Sequence, residues 1–262
     1  MNLFADDTLL FRVITSTLDY ILLQKDVNTF ACWVDNNDLT LNASKCKYMN
    51  ISKRKSRAVP CQTMMLHNQP MERVLSYKYL GVLICNDLSW SPHIDKISSK
   101  TRQLIGILYR RFYKWSSSSA LLQLYLSLIR PHLEYAVQVW SPYLVKDIQK
   151  LESVQKFALK VCLKKWNCSY DELLCESGIS ELSDRRKLLS LMYLYKAANG
   201  LMTVPDGIVV PRLCAHNTRL SSQVTFVNYN PLLVPTHTTI LSSPLLFLCG
   251  ILFLNLLSQF LL

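Results

Sequence analysis

Residues 3–11 read LFADDTLLF, two adjacent aspartates, Asp6 and Asp7, set between apolar runs of strand-forming residues. Met1–Phe4 and Thr8–Ile14 flank Ala5-Asp6-Asp7, so the pattern predicts a β-hairpin with both carboxylates at its tip. A paired acid in that setting is either a metal site or a solvated Asp-Asp turn. Whether the chain is an enzyme, or part of one, turns on that choice.

Composition narrows the options. Half of the 262 residues are hydrophobic, with 13 Tyr and only 6 Gly, which is enough apolar material for one large domain or two small ones. The formal net charge is +11. Such an excess suits partners that carry phosphates, or an anionic membrane surface. The nine cysteines form no C-x-x-C pair, which excludes zinc-ribbon and thioredoxin-like readings. The first residues carry two acids and no basic leader, so no signal peptide is expected, and free thiols suit a reducing compartment.

The periodicity changes along the chain. Ser16 with Asp19 forms a capping-box pattern, and Leu23, Val27, Phe30 and Val34 mark one face of the helix that follows. Asn36-Asn37-Asp38 stops it. A turn around Asn42 and a strand near Lys47–Ile51 come next, then the basic loop Lys53–Arg57. Val74–Ile84 reads as a strand or hairpin containing Gly81. From Pro92 the period is helical. Ile94, Ile97, Thr101, Leu104 and Leu108 share a face; a second helix starts at Ser116–Ser119 and ends at Arg130-Pro131; His132–Trp140 is a third. Lys146–Trp166 is a long fourth helix, Tyr170–Gly178 is short, and Ser183–Asn199 is the last, closed by Gly200. Tyr, Trp and Leu at helical spacing here are expected to be core rather than a stacking platform. Cys162, Cys168 and Cys175 with His132 match no standard metal spacing and are expected to be buried thiols.

The motifs resemble one family. LFADDTLLF is similar to the Phe/Tyr-Ala-Asp-Asp motif of reverse transcriptases, in the form found in jockey-like, LINE-type non-LTR retrotransposons. Further landmarks follow in order. Trp33 with Leu41-Asn42-Ala43-Ser44-Lys45-Cys46 resembles the family's W…LN-x-x-KC segment, and Lys78-Tyr79-Leu80-Gly81-Val82 its KYLGV segment. Asp87–Ile94 resembles DL-x-W-x-x-HI, Ile129–Ala136 resembles RP-x-LEYA, and Leu151–Lys156 resembles LE-x-VQ-R/K. The resemblance runs from about Leu3 to about Arg219.

It implies an α+β fold: a portion of the polymerase palm over residues 1–90, a helical thumb and connection over 91–200, and a linker over 201–239. It implies Asp6 and Asp7 as ligands of Mg2+ in phosphoryl transfer. Lys45 would lie near the triphosphate, and Tyr79, Leu80, Gly81 and Val82 would hold the primer terminus. Lys96, Lys100, Arg102, Arg110, Arg111 and Lys114 would contact the phosphates of an RNA template and DNA primer without reading sequence. In the family, the fingers and another metal-binding aspartate precede the acidic pair. Only five residues do so here, so the expectation is a truncated remnant, inactive by itself, whose hairpin has an unpaired edge.

The tail over 240–262 carries a second expectation. Ile240–Leu257 is nearly all apolar and long enough to span a bilayer, which supports an alternative reading as a membrane-tethered helical interaction protein. Permissible codons for Ile240–Leu254, read in another frame, spell SFFPLTISLWNSLP, similar to the family's SFFPRTIRLWNSLP. A frameshift between about Val224 and Ile240 would therefore explain the run. Membrane localisation goes with an inserted tail; a cytoplasmic or nuclear one goes with its absence.

Overall fold

The computed structural model describes residues 2–4, 7–52, 62–202, 211–212, 225–226 and 238–241. In chain order the elements are strands β1 (Asn2–Phe4) and β2 (Asp7–Val13), helix α1 (Thr17–Asn36) and strand β3 (Lys47–Ile51). Short strands β4 (Met65–Leu66), β5 (Gln69–Pro70), β6 (Glu72–Arg73), β7 (Ser76–Tyr79) and β8 (Val82–Cys85) follow. Helices α2 (Ser91–Phe112), α3 (Ser118–Leu124), α4 (Arg130–Glu134), α5 (Val137–Trp140), α6 (Val145–Leu163), α7 (Tyr170–Ser177) and α8 (Leu182–Ala198) come next. Strands β9 (Pro211–Arg212), β10 (Thr225–Phe226) and β11 (Thr238–Leu241) complete the order. The fold is a mixed α and β one. It divides into a sheet unit, Met1–Ser89 with Asn228–Gly250, and a helical unit, Trp90–Val227 with Ile251–Leu262.

In the sheet unit, β1 and β2 form the expected antiparallel hairpin, with Phe4 opposite Asp7. Its β2 side is not bare, contrary to expectation, while β1 is the end strand of the sheet. Strand β11 lies between β2 and β3, antiparallel to both, in the order β1-β2-β11-β3-β6. Ile240 and Leu241, the start of the presumed apolar span, therefore sit in a strand. β-branched and apolar residues with period two can fill such a slot. The remainder of that span, through Leu257, lies outside the described residues. No helix among the described residues is long and apolar enough to cross a membrane.

α1 begins at the predicted capping box. The Asp19 carboxylate accepts from the backbone amides of Thr15 and Ser16, each at 2.8 Å, and these bonds draw its pKa down to about 2. Its inner face, Tyr20, Leu23, Val27 and Ala31, packs with Ile14, Tyr48, Met64 and Leu66 as the core of the unit. Gln24 behaves as a short piece of strand: its amide donates to the Met65 carbonyl and its carbonyl accepts from the Met65 amide, both at 2.8 Å.

In the helical unit, α6 is the central rod. Leu151, Val154, Gln155, Ala158, Leu159, Val161 and Cys162 are all buried, and α2, α3, α7 and α8 pack around it. Two predicted boundaries move. The second helix does not stop at Arg130-Pro131; it continues through a π turn at Tyr125–Ile129 into α4. Proline lacks an amide hydrogen and its ring crowds the carbonyl four residues back, and a widened turn accommodates both. The expected helix His132–Trp140 is broken where Tyr135 is extended and Ala136 is left-handed at φ 52°.

Candidate nucleic-acid interface

The acidic hairpin is only partly in view. Asp6 lies outside the described residues. Asp7 opens β2 and is exposed. The second hairpin, β7–β8, brings Tyr79 opposite Val82 across a loop of Leu80 and Gly81. Both loop residues have positive φ, 40° and 89°, the geometry of a type I′ turn. Gly81 is thus required by the turn itself.

The structure brings Asp7 and Tyr79 into electrostatic reach of each other. Burial pushes the Tyr79 phenol up to about 12, and the negative charge of Asp7 adds to the effect. The Tyr79 hydroxyl is buried and has no hydrogen-bond partner among the described residues. Lys45 is exposed in the turn Asn42–Cys46, ahead of β3, where its amide donates to the Asn42 carbonyl at 3.0 Å. Among the described residues no cluster of three His, Cys, Asp or Glu could hold a metal ion. Asp7 has the hard oxygens magnesium prefers, but one described carboxylate does not make a site, so no step through a metal is derived.

The six basic residues predicted to meet phosphates do not form a single group. With 3.6 residues per turn, Lys96, Lys100, Arg110 and Arg111 fall within an arc of about 100° on α2, and Lys114 follows just past its end. All five are exposed. The buried face of the same helix, Ile94, Ser98, Thr101, Ile105 and Leu108, lies on the other side. Arg102 points elsewhere and donates to Ser153 Oγ on α6 at 2.9 Å. Burial, and next the nearby Lys100, lower the pKa of His132, so that ring adds little charge near neutral pH.

Other motif residues are used up inside the helical unit. Glu152 accepts from Tyr170 Oη at 2.7 Å, from the Ser183 amide at 2.8 Å and from the Leu182 amide at 3.2 Å. It thereby caps the start of α8 and also pairs with the buried Arg186 at 3.4 Å. Gln155, fully buried, accepts from Tyr125 Oη at 2.8 Å and donates to Tyr170 Oη and the Ser180 carbonyl, each at 3.0 Å. Glu134 pairs with Arg185 and Arg130. His93, packed edge-on against Trp140, is pulled down to about 4 by burial and then by Lys96.

Two expectations about side chains need correcting. Of the three cysteines, only Cys162 is buried; Cys168 is half-buried and Cys175 exposed. Several aromatics expected in the core are at the surface: Tyr109, Trp115 and Trp166 are exposed and Tyr113 half-exposed. A usable signal was present, because residues 96–133 interleave Lys and Arg with Tyr and Trp and contain no Asp or Glu.

Comparison with known proteins agrees with the motifs. The chain is 23% identical over 195 residues to the RNA-directed DNA polymerase from mobile element jockey of Drosophila melanogaster, covering 73% of this chain and 21% of that protein. It is 22% identical over 195 residues to the protein of the same name from Drosophila funebris, covering 72% and 21%. It is 23% identical over 131 residues to the probable RNA-directed DNA polymerase from transposon X-element of Drosophila melanogaster, covering 48% and 14%. The chain thus spans about a fifth of the length of the jockey relatives it matches. No family model and no solved structure matches.

Proposed function

We propose that this chain, a relative of the RNA-directed DNA polymerases of non-LTR retrotransposons, is the part of such a reverse transcriptase that grips the primer–template duplex. The observation that carries this reading is the exposed basic face of α2, Lys96, Lys100, Arg110 and Arg111, set opposite the buried face of the same helix. A rigid helix with cations along one side suits a regular phosphate backbone and needs no base contact. The helical unit then acts as the thumb, and the sheet unit as a portion of the palm.

The nearness of Asp7 to Tyr79 supports the palm assignment, since it sets the acidic hairpin beside the hairpin assigned to the primer end. In this reading Asp6 and Asp7 would take magnesium together with substrate phosphates, and the ion would supply charge stabilisation in phosphoryl transfer. What the chain's own residues do is bind and orient. Lys45 and the α2 cations attract phosphate, and the type I′ turn at Leu80-Gly81 lets a strand end approach the backbone. The polypeptide by itself is proposed to hold duplex without extending it, because two neighbouring carboxylates are few ligands for a pair of ions that each take an octahedron of oxygens.

The test is titration of a labelled RNA–DNA primer–template with the 262-residue polypeptide, followed by nucleotide addition with magnesium or manganese. Binding without extension is expected. Templated incorporation that vanishes in Asp7→Ala would overturn the inactivity, and absence of duplex binding would overturn the grip.

A further inference from the structure

A second surface of the helical unit differs in character from the α2 basic face. Near the ends of α2 and α6, Tyr109 and Tyr113 lie 4.6 Å apart between ring centroids, and Trp166 meets Tyr109 at 6.2 Å, nearly perpendicular. Trp166 Nε1 donates to Tyr113 Oη at 3.3 Å. Lys164, the left-handed residue that ends α6, sits over the Tyr113 ring at 5.4 Å and donates to the Ser116 carbonyl at 2.9 Å. Lys160 donates to the Trp166 carbonyl at 2.7 Å, which fixes the backbone that carries the indole. Trp115, close by in sequence, is 89% exposed.

The surrounding charge is mostly basic, with Glu172 and Glu176 of α7 near Lys165. Residues 96–133 and 153–170 contain no Asp or Glu. Glu176, on α7, is taken up by Lys165 at 2.8 Å. Surface rings, those of Tyr113 and Trp166 joined by a hydrogen bond and Tyr113 met by a cation–π contact, set among a surplus of lysines and arginines, match a ligand that has flat apolar faces and a phosphate backbone. Bases inside a duplex hide their faces, whereas an unpaired strand presents them. An acidic peptide would satisfy the charge and leave the rings unused. A protein partner with an apolar face would leave the cations uncompensated.

We infer that Tyr109, Tyr113, Trp115 and Trp166, with Lys164 and Lys160, form a stacking site for single-stranded nucleic acid, distinct from the cations of the duplex grip on α2. It deepens the proposed function and rests on that reading of the helical unit. Bases stack on the indoles while the lysines follow the backbone, so binding tolerates sequence and falls with salt.

The experiment titrates the full chain with fluorescein-labelled dT and rU 12-mers, following anisotropy and tryptophan quenching, with the RNA–DNA duplex and polyglutamate as separate arms. Trp115→Ala, whose side chain is too exposed to support the fold, is expected to weaken 12-mer binding about 5- to 150-fold, the range that one stacked base contributes. Trp166→Ala should do the same and Trp166→Phe should retain most of it, with duplex affinity changed less than about twofold in all three. Unchanged 12-mer affinity in Trp115→Ala and Trp166→Ala, or polyglutamate binding as tightly as the oligonucleotides, overturns the site. Duplex binding without 12-mer binding sinks this inference alone; no binding of either sinks the duplex grip with it. Equal affinity for dT and rU is expected, since ring stacking does not read the 2′-hydroxyl; a preference above about tenfold for either would replace stacking by sugar recognition.

Discussion

The sheet unit and the helical unit carry motifs of the same resemblance and treat them in opposite ways. In the helical unit the polar motif residues are committed to each other. Glu152 caps α8 and holds Arg186, Gln155 joins Tyr125 to Tyr170, and Glu134 clamps Arg185 and Arg130. In the sheet unit Asp7 is exposed, and the buried Tyr79 hydroxyl has no partner among the described residues. A motif residue can therefore mark a fold or a site, and its hydrogen bonds tell which. Polar atoms already bonded to one another hold helices together. Polar atoms left over are open to a substrate.

That contrast can be broken most forcefully at Glu152. Replacing it with Ala leaves Arg186 buried without its countercharge and uncaps α8, so a loss of about 3–5 kcal/mol is expected. Urea unfolding followed by circular dichroism would show it, and a change under about 1 kcal/mol would mean the network is not what holds the unit.

The next effect concerns pH. In the unfolded chain the His93 imidazole protonates near its ordinary value of 6.5, whereas in the fold it stays neutral down to about 4. Between those values the unfolded state binds more protons, so stability falls as pH is lowered from about 6.5 to about 4. The total loss is up to about 3 kcal/mol, at about 1.4 kcal/mol per pH unit. A stability profile flat over that window would contradict the burial argument; His93→Gln should make it shallower, His132, which is lowered in the same direction, supplying what remains.

Smaller effects belong to the sheet unit. Gly81→Ala places a Cβ at φ 89° and should cost about 1 kcal/mol through the β7–β8 turn. Tyr79→Phe removes a hydroxyl with no described partner, so stability should hold or rise by up to about 1 kcal/mol. A decrease larger than that would show the hydroxyl is already bonded, and the distinction between the two units would fail at that point.

Much of the fold was legible in local pattern. The capping box at Ser16, the stop at Asn36-Asn37-Asp38 and the strand Lys47–Ile51 depend on neighbours in sequence and were placed correctly. β11 was not legible, because its pairing with β2 and β3 joins segments far apart, and Thr238–Leu241 looks locally like the start of an apolar tail. The π turn before Pro131 was missed because a proline normally ends a helix unless the turn ahead of it widens. The cations of α2 could be picked out by type, but only the helix geometry separated Arg102 from the other five. The surface aromatics were misread because helical spacing alone does not say which face a neighbour covers.

The central claim is that α2 grips nucleic acid with its exposed cations and not with the motif residues buried in the helical unit. The direct measurement is the salt dependence of primer–template affinity for the wild-type chain and for a Lys96→Gln, Lys100→Gln, Arg111→Gln variant. The account predicts that log affinity against log salt flattens by about 2–3 in slope, near 0.9 for each phosphate that is no longer neutralised. An identical slope and affinity in the two proteins would contradict it.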